Sequence, residues 1–151
     1  KGKPMQIVFI LLVLLAGVMA PTQAGINSQL SHYLRSYYLA ALASFFVGSL
    51  ALLAFNLLLR SPLPALEDIT RSPWWVWVGG FCGAFLVTVT IAAVPRLGAT
   101  TMFAFFLAGQ MLASLALDHF GLLGYPQQSI NLWRVAGVIL LLSGALLVRK
   151  F

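Results

Sequence analysis

Amides, hydroxyls and aromatic rings recur at helical spacing inside the otherwise apolar segments of this sequence, and they are its chemically informative residues. Gln23 and Asn27 form an i, i+4 amide pair on one face with Ala16 and Ala20. Such a pair either holds donors and acceptors towards a ligand or bonds a neighbouring helix. Trp77, Phe81, Ala84 and Thr88 make a second stripe; Phe103, Phe106, Gln110 and Ser114 make a third, with Asp118 at its edge. Gln110 falls near the centre of its segment, where an amide is least idle. Aromatic stripes serve helix packing or line a ligand box, and Thr88 and Ser114 can also bond their own helix backbone. Asp118-His119 is the one acid beside a histidine. It reads as a proton-linked pair, since histidine titrates near neutrality, or as a helix end capped by Gly121.

Other chemistry is missing. No Asp or Glu lies in the middle of an apolar segment, so proton exchange on a midplane carboxylate is not supported. No His/Cys cluster has metal-ligand spacing, and no nucleophile–base arrangement or Gly-rich phosphate loop is visible. The single cysteine, Cys82, sits in an apolar run and reads as a small core residue. The sequence therefore suggests neither an enzyme nor a cofactor or metal site.

The elements that must position these residues follow from composition. Of 151 residues, 61% are hydrophobic and 8% charged, whereas soluble domains carry about 25% charged residues. One soluble core cannot hide so much apolar surface, which excludes a soluble enzyme, a nucleic-acid binder and a disordered tail. A helix crosses the hydrocarbon with about 20 apolar residues. Five segments qualify, at about 5–29, 39–59, 74–94, 100–120 and 132–149. The expected fold is an all-α polytopic bundle, a single five-helix transmembrane domain over 5–151.

Local signals agree with these spans. Ser36 precedes the second, with Tyr37 and Tyr38 as interfacial aromatics. Ser72-Pro73 before Trp74-Trp75 reads as an N-cap followed by a first-turn proline and an aromatic belt. Pro95-Arg96-Leu97-Gly98 reads as the turn between the third and fourth spans, and Asn131 as the cap of the fifth. Pro21 is expected to kink the first. The connection 60–73 reads as a polar loop. Small residues at Gly17, Pro21 and Gly25, at Gly79 and Gly83, and at Gly137 and Gly144 suit close helix approach, the last two as a dimer seam. The basic, apolar start up to Thr22-Gln23-Ala24 is read as a span rather than a cleaved leader. Lys1-Gly2-Lys3-Pro4 ahead of Met5 reads as a leftover of expression.

The formal charge is +6, yet the bases stand singly at the ends of apolar runs, as membrane anchors do. No block of like charge offers a polyanion footprint, so no nucleic-acid partner is expected. With five spans, Arg60, Arg71 and Arg134 fall on one side and Arg35, Arg96, Arg149 and Lys150 on the other. Three against four gives almost no orienting bias; counting Lys1 and Lys3 makes it five against four. Either other features set a single orientation, or copies insert both ways and pair antiparallel. Many transporters contain two inverted repeats with the substrate site between them near the midplane. A lone half paired with an inverted copy of itself would supply the missing repeat.

Several local patterns occur in order: Gln23-x-x-x-Asn27, Arg60-Ser61-Pro62-Leu63-Pro64, Pro73-Trp74-Trp75-x-Trp77-x-Gly79-Gly80, Pro95-Arg96-Leu97-Gly98-Ala99, Gly109-Gln110 and Asp118-His119-Phe120-Gly121-Leu122-Leu123-Gly124. Together they resemble the YdcZ-type five-span branch of the drug/metabolite transporter superfamily, from Met5 to Phe151. The resemblance implies a bacterial inner-membrane exporter built as a half-transporter. Such halves are found as dual-topology homodimers, as paired oppositely oriented genes, or fused into ten-span chains. The related four-span small multidrug transporters carry a membrane-embedded Glu in span one. This sequence has Gln23 and Asn27 in that neighbourhood, a departure that argues against antiport through a central carboxylate.

The expected function is export of a small molecule by an antiparallel homodimer of ten helices in the bilayer, with alternating access at a midplane site. Gln23, Asn27, Thr88, Gln110 and Ser114 would offer hydrogen bonds to the substrate, while Trp77, Phe81 and Phe106 would form an apolar wall. Two alternatives are a channel of the same inverted-dimer architecture and an accessory subunit that needs a different partner chain.

Overall fold

The computed structural model describes residues 3–151, which are helical apart from short connections and contain no strand. The reading of residues 1–4 as an expression leftover concerns Lys1 and Gly2, which lie outside the described residues, and Lys3 and Pro4, described only as helical backbone. The helices are α1 (Lys3–Leu34), α2 (Tyr37–Leu58), the short α3 (Leu66–Arg71), α4 (Val78–Leu97), α5 (Ala99–Phe120) and α6 (Leu132–Lys150). A 3₁₀ turn at Trp74–Trp77 leads into α4. Five of these elements are long and apolar enough to span a membrane: Met5–Leu34, Tyr37–Leu58, Trp74–Leu97, Ala99–Phe120 and Leu132–Lys150.

The ends of α1 and α2 are made alike. Arg35 adopts a left-handed backbone (φ 53°), and the Ser36 N–H reaches back to the Ser31 carbonyl at 3.2 Å. Arg60 does the same after α2 (φ 49°): its own N–H bonds the Leu57 carbonyl at 3.2 Å, and the Ser61 N–H bonds the Asn56 carbonyl at 3.1 Å. This is the hydrogen-bonded stop in which glycine is the usual left-handed residue. Ser36 then caps α2, its side-chain oxygen accepting the Leu39 N–H at 3.2 Å. Two residues thus reverse the chain between spans. The first span continues past its expected end because no glycine or proline interrupts 26–34. It also runs through Pro21 as unbroken helix.

Two further connections differ from expectation. Ser72 does not cap a following helix; it terminates α3, its hydroxyl donating to the Ile69 carbonyl at 2.6 Å. The acids Glu67 and Asp68 in the first turn of α3 and Arg71 in its last turn complement the helix dipole, which makes a helix of what read as plain loop. Pro95, Arg96 and Leu97 belong to α4, and Gly98 alone (φ 77°) separates α4 from α5. Glycine accepts such a positive φ without steric cost.

The chain forms two compact units divided at Pro95/Arg96. In the first, Ile91 of α4 is fully buried with Ala40 and Ala41 of α2, and Leu30 and Val87 pack against this cluster. Ala24, Asn27, Ser28 and Ser31 form a buried stripe of small and polar residues on α1. Small side chains allow the close approach on which helix packing in lipid depends, because apolar bulk gains nothing there by leaving lipid. Gly83 follows the same logic: a Cβ there would stand 3.4 Å from Cζ of Phe45 on α2. In the second unit α5 packs on α6, and Met102, Ala108 and Ala145 are buried. Phe103 and Phe106 of α5 meet edge to face, their centroids 5.8 Å apart.

Candidate functional site

The amide pair on α1 is divided by the packing. Asn27 is 5% exposed, and its Nδ2 donates to Oγ of Ser44 on α2 at 3.0 Å. Gln23, one turn earlier, is exposed and lines a shallow groove with Ala16, Met19, Ala20, Thr22 and Ile26. The α1–α2 hairpin therefore takes Asn27 into its seam and leaves Gln23 available. Ser44 was absent from the sequence reading because an isolated serine in an apolar run gives no signal of its own.

On the third span, Trp77 and Phe81 are 62% and 74% exposed, and Thr88 is half-buried. Neither large ring is buried against α1 or α2, so packing within this unit does not account for them. Cys82 is exposed as well, not the core residue its apolar neighbours suggested. An apolar run in a membrane helix marks every face alike, and here the packed positions of α4 are Gly83, Val87, Thr90 and Ile91.

On α5, Phe106 is half-buried, whereas Gln110 and Ser114 are exposed. Gln110 stands at mid-helix, and its side chain makes no hydrogen bond among the described residues. Ser114 lines a cavity of about 260 Å³ between α5 and α6, with Met111, Leu115, Asp118, Arg134, Gly137, Val138 and Leu141. This small groove has apolar walls, one hydroxyl and an ion pair at its end.

Asp118 and His119 face different partners. Oδ2 of Asp118 accepts from Nη1 of Arg134 at 3.3 Å. Nδ1 of His119 accepts the Ile130 N–H at 3.2 Å, which places its ring against the returning chain. The same return is pinned by the Gln128 N–H on the Asp118 carbonyl (2.8 Å) and by Nε2 of Gln127 on the His119 carbonyl (3.2 Å). Arg134 also donates to the carbonyl and to Oε1 of Gln128. Gly121 ends α5 in the left-handed conformation, as expected, and Asn131 caps α6 by accepting the Arg134 N–H at 2.9 Å. The Arg134 contact was missed in the sequence, although an acid and a base flanking a short connection between two spans were its available signal.

The sequence that builds these helices matches a family of known membrane proteins. A family model described as "Putative inner membrane exporter, YdcZ" matches residues 8–147. The chain belongs to the YdcZ family. The inner membrane protein YdcZ of Escherichia coli (strain K12) is 33% identical over 84 residues, which is 56% of this chain and 56% of that protein. The match thus spans about half the length of that relative. No solved structure matches the chain. Within the family-matched region lie all the candidate residues above, from Gln23 on α1 to Asp118 and His119 at the end of α5.

Proposed function

We propose that this chain is half of a small-molecule exporter in the bacterial inner membrane, working as an antiparallel dimer of two oppositely inserted copies with alternating access at a midplane site. The observation that carries the reading is Gln110. An unbonded amide at the middle of a membrane helix is costly against lipid, and in this reading a second chain or a watered path covers it. The near-even distribution of bases supports both insertions, and the family description supports export.

In this reading Gln23, Gln110 and Ser114 each offer a hydrogen bond to the substrate. Trp77, Phe81 and Phe106 supply apolar walls, and Thr88 adds a hydroxyl. Asn27 positions α1 through Ser44. Proton coupling through Asp118 and His119 is not part of the proposal, because both already hold the α5–α6 connection.

Orientation tests the architecture. With Cys82 replaced by Ala and one cysteine appended after Phe151, intact cells are labelled with a membrane-impermeant thiol reagent. Labelling of about half the molecules is expected, since copies inserted both ways expose the tag on both sides. Labelling of all or none means one orientation and turns the search to a different, oppositely inserted chain. A Gln110→Ala protein that inserts normally and still transports at the wild-type rate removes the central residue from the proposal.

A further inference from the structure

The turn between α1 and α2 borders an open cavity of about 510 Å³ lined by Ser31, His32, Arg35, Ser36, Tyr37 and Tyr38. Its volume falls within the range of small-molecule pockets. The groups on its wall are chiefly donors. The guanidinium of Arg35 offers five N–H groups. Ser36 accepts the Leu39 N–H through its oxygen, so its own hydroxyl hydrogen is available. Tyr37 and Tyr38 add two phenolic hydroxyls, and His32 adds a ring N–H. Ser31 contributes least, because its hydroxyl already donates to the Ser28 carbonyl at 2.7 Å.

No carboxylate balances this wall. The chain has three acids: Glu67 and Asp118 pair with Arg71 and Arg134, and Asp68 lies on α3. None of them lines the cavity. Arg35 thus presents its charge without an ion-pair partner among the described residues. The cavity also stands where one membrane-spanning helix ends and the next begins. That is the depth at which lipid phosphates lie and at which tyrosine and arginine anchor a chain.

The geometry points to a phosphate-binding site at the α1–α2 turn, with the headgroup of an anionic phospholipid as its occupant. Arg35 contacts the phosphate oxygens by charge-assisted hydrogen bonds, Ser36 and the tyrosine hydroxyls share the remaining oxygens, and the tyrosine rings flank the acyl chains. Basic pockets at the ends of membrane helices recognise lipid headgroups in this way. None of the residues assigned to transport lines this cavity.

The test titrates purified protein in non-ionic detergent with phosphatidylglycerol or phosphatidylcholine and counts bound lipid by native mass spectrometry. The informative variant is Arg35→Gly. It deletes the guanidinium while placing glycine at a backbone angle (φ 53°) that suits it, so folding is not the reason for any loss. Phosphatidylglycerol affinity is expected to fall about tenfold in Arg35→Gly, with phosphatidylcholine unchanged, and to stay at the wild-type level in Arg96→Gln. Inorganic phosphate added at millimolar concentration separates the sources. Displacement of the lipid shows that phosphate alone is recognised; retention shows that headgroup and chains are held together, and both support the site. Wild-type phosphatidylglycerol binding by Arg35→Gly, or an equal loss in Arg96→Gln, overturns it.

Discussion

Asp118 at the end of α5 and Arg134 at the start of α6 meet at 3.3 Å, with their side chains 29% and 30% exposed. The pair closes the α5–α6 hairpin from both sides, since Arg134 also holds Gln128 of the connection. Removing either charge leaves the other, half-buried, without its ion-pair partner. Arg134→Gln and Asp118→Asn are each expected to destabilise the protein by about 1–2 kcal/mol, less than a deeply buried pair because water still reaches this one. Combining the two should cost less than the sum of the single changes. A double-mutant cycle on unfolding in detergent checks this, and strict additivity would deny the coupling.

Among the described residues, Asn27 to Ser44 is the interhelical side-chain hydrogen bond of the α1–α2 seam. Such bonds in membrane proteins average about 0.6 kcal/mol. Ser44→Ala should therefore cost about that much and leave transport measurable. Asn27→Leu should cost more, about 1–3 kcal/mol, because a branched side chain must enter a position only 5% exposed. Equal costs for both would mean that crowding at this seam is unimportant.

Gly83 and Gly79 share a face of the third span but differ in surroundings. A Cβ at Gly83 would lie 3.4 Å from Phe45, whereas at Gly79 nothing stands within 4 Å. Gly79→Leu is expected to be within about 0.5 kcal/mol of wild type. Gly83→Leu should push Phe45 aside and lose about 1–3 kcal/mol. Thermal midpoints of the two proteins in one detergent decide it, and the prediction fails if Gly79→Leu is the less stable.

Gly121 is required by backbone and space together. Its φ is +60°, and a Cβ would come within 3.3 Å of Cβ of Gln127. Gly121→Ala should lose about 1–2 kcal/mol from the left-handed conformation alone, with some loosening of the 121–131 connection. Hydrogen exchange of the Gln128 and Ile130 amides is the sensitive readout, because both bond back to the end of α5. Unchanged protection of these two amides would contradict the assigned role.

The number and type of the membrane helices were determined by the sequence alone. A span is recorded in about 20 consecutive apolar residues, and the caps at Ser36, Asn131 and Gly121 depend on side chains only a few positions from the backbone they satisfy. Local order of residues also carried the family resemblance. What the tertiary structure decided is which face of each helix is used. Lipid is as apolar as leucine, so hydrophobic periodicity, which marks the core face of a soluble helix, does not do so here. Cys82 and Gly83 are neighbours in one apolar run, yet one is exposed and the other meets Phe45. Gln23 and Asn27 form one sequence motif, yet only Asn27 has an interhelical partner. Asp118 stands beside His119 in the chain, but its partner is Arg134, brought near because the connection folds back on the end of α5.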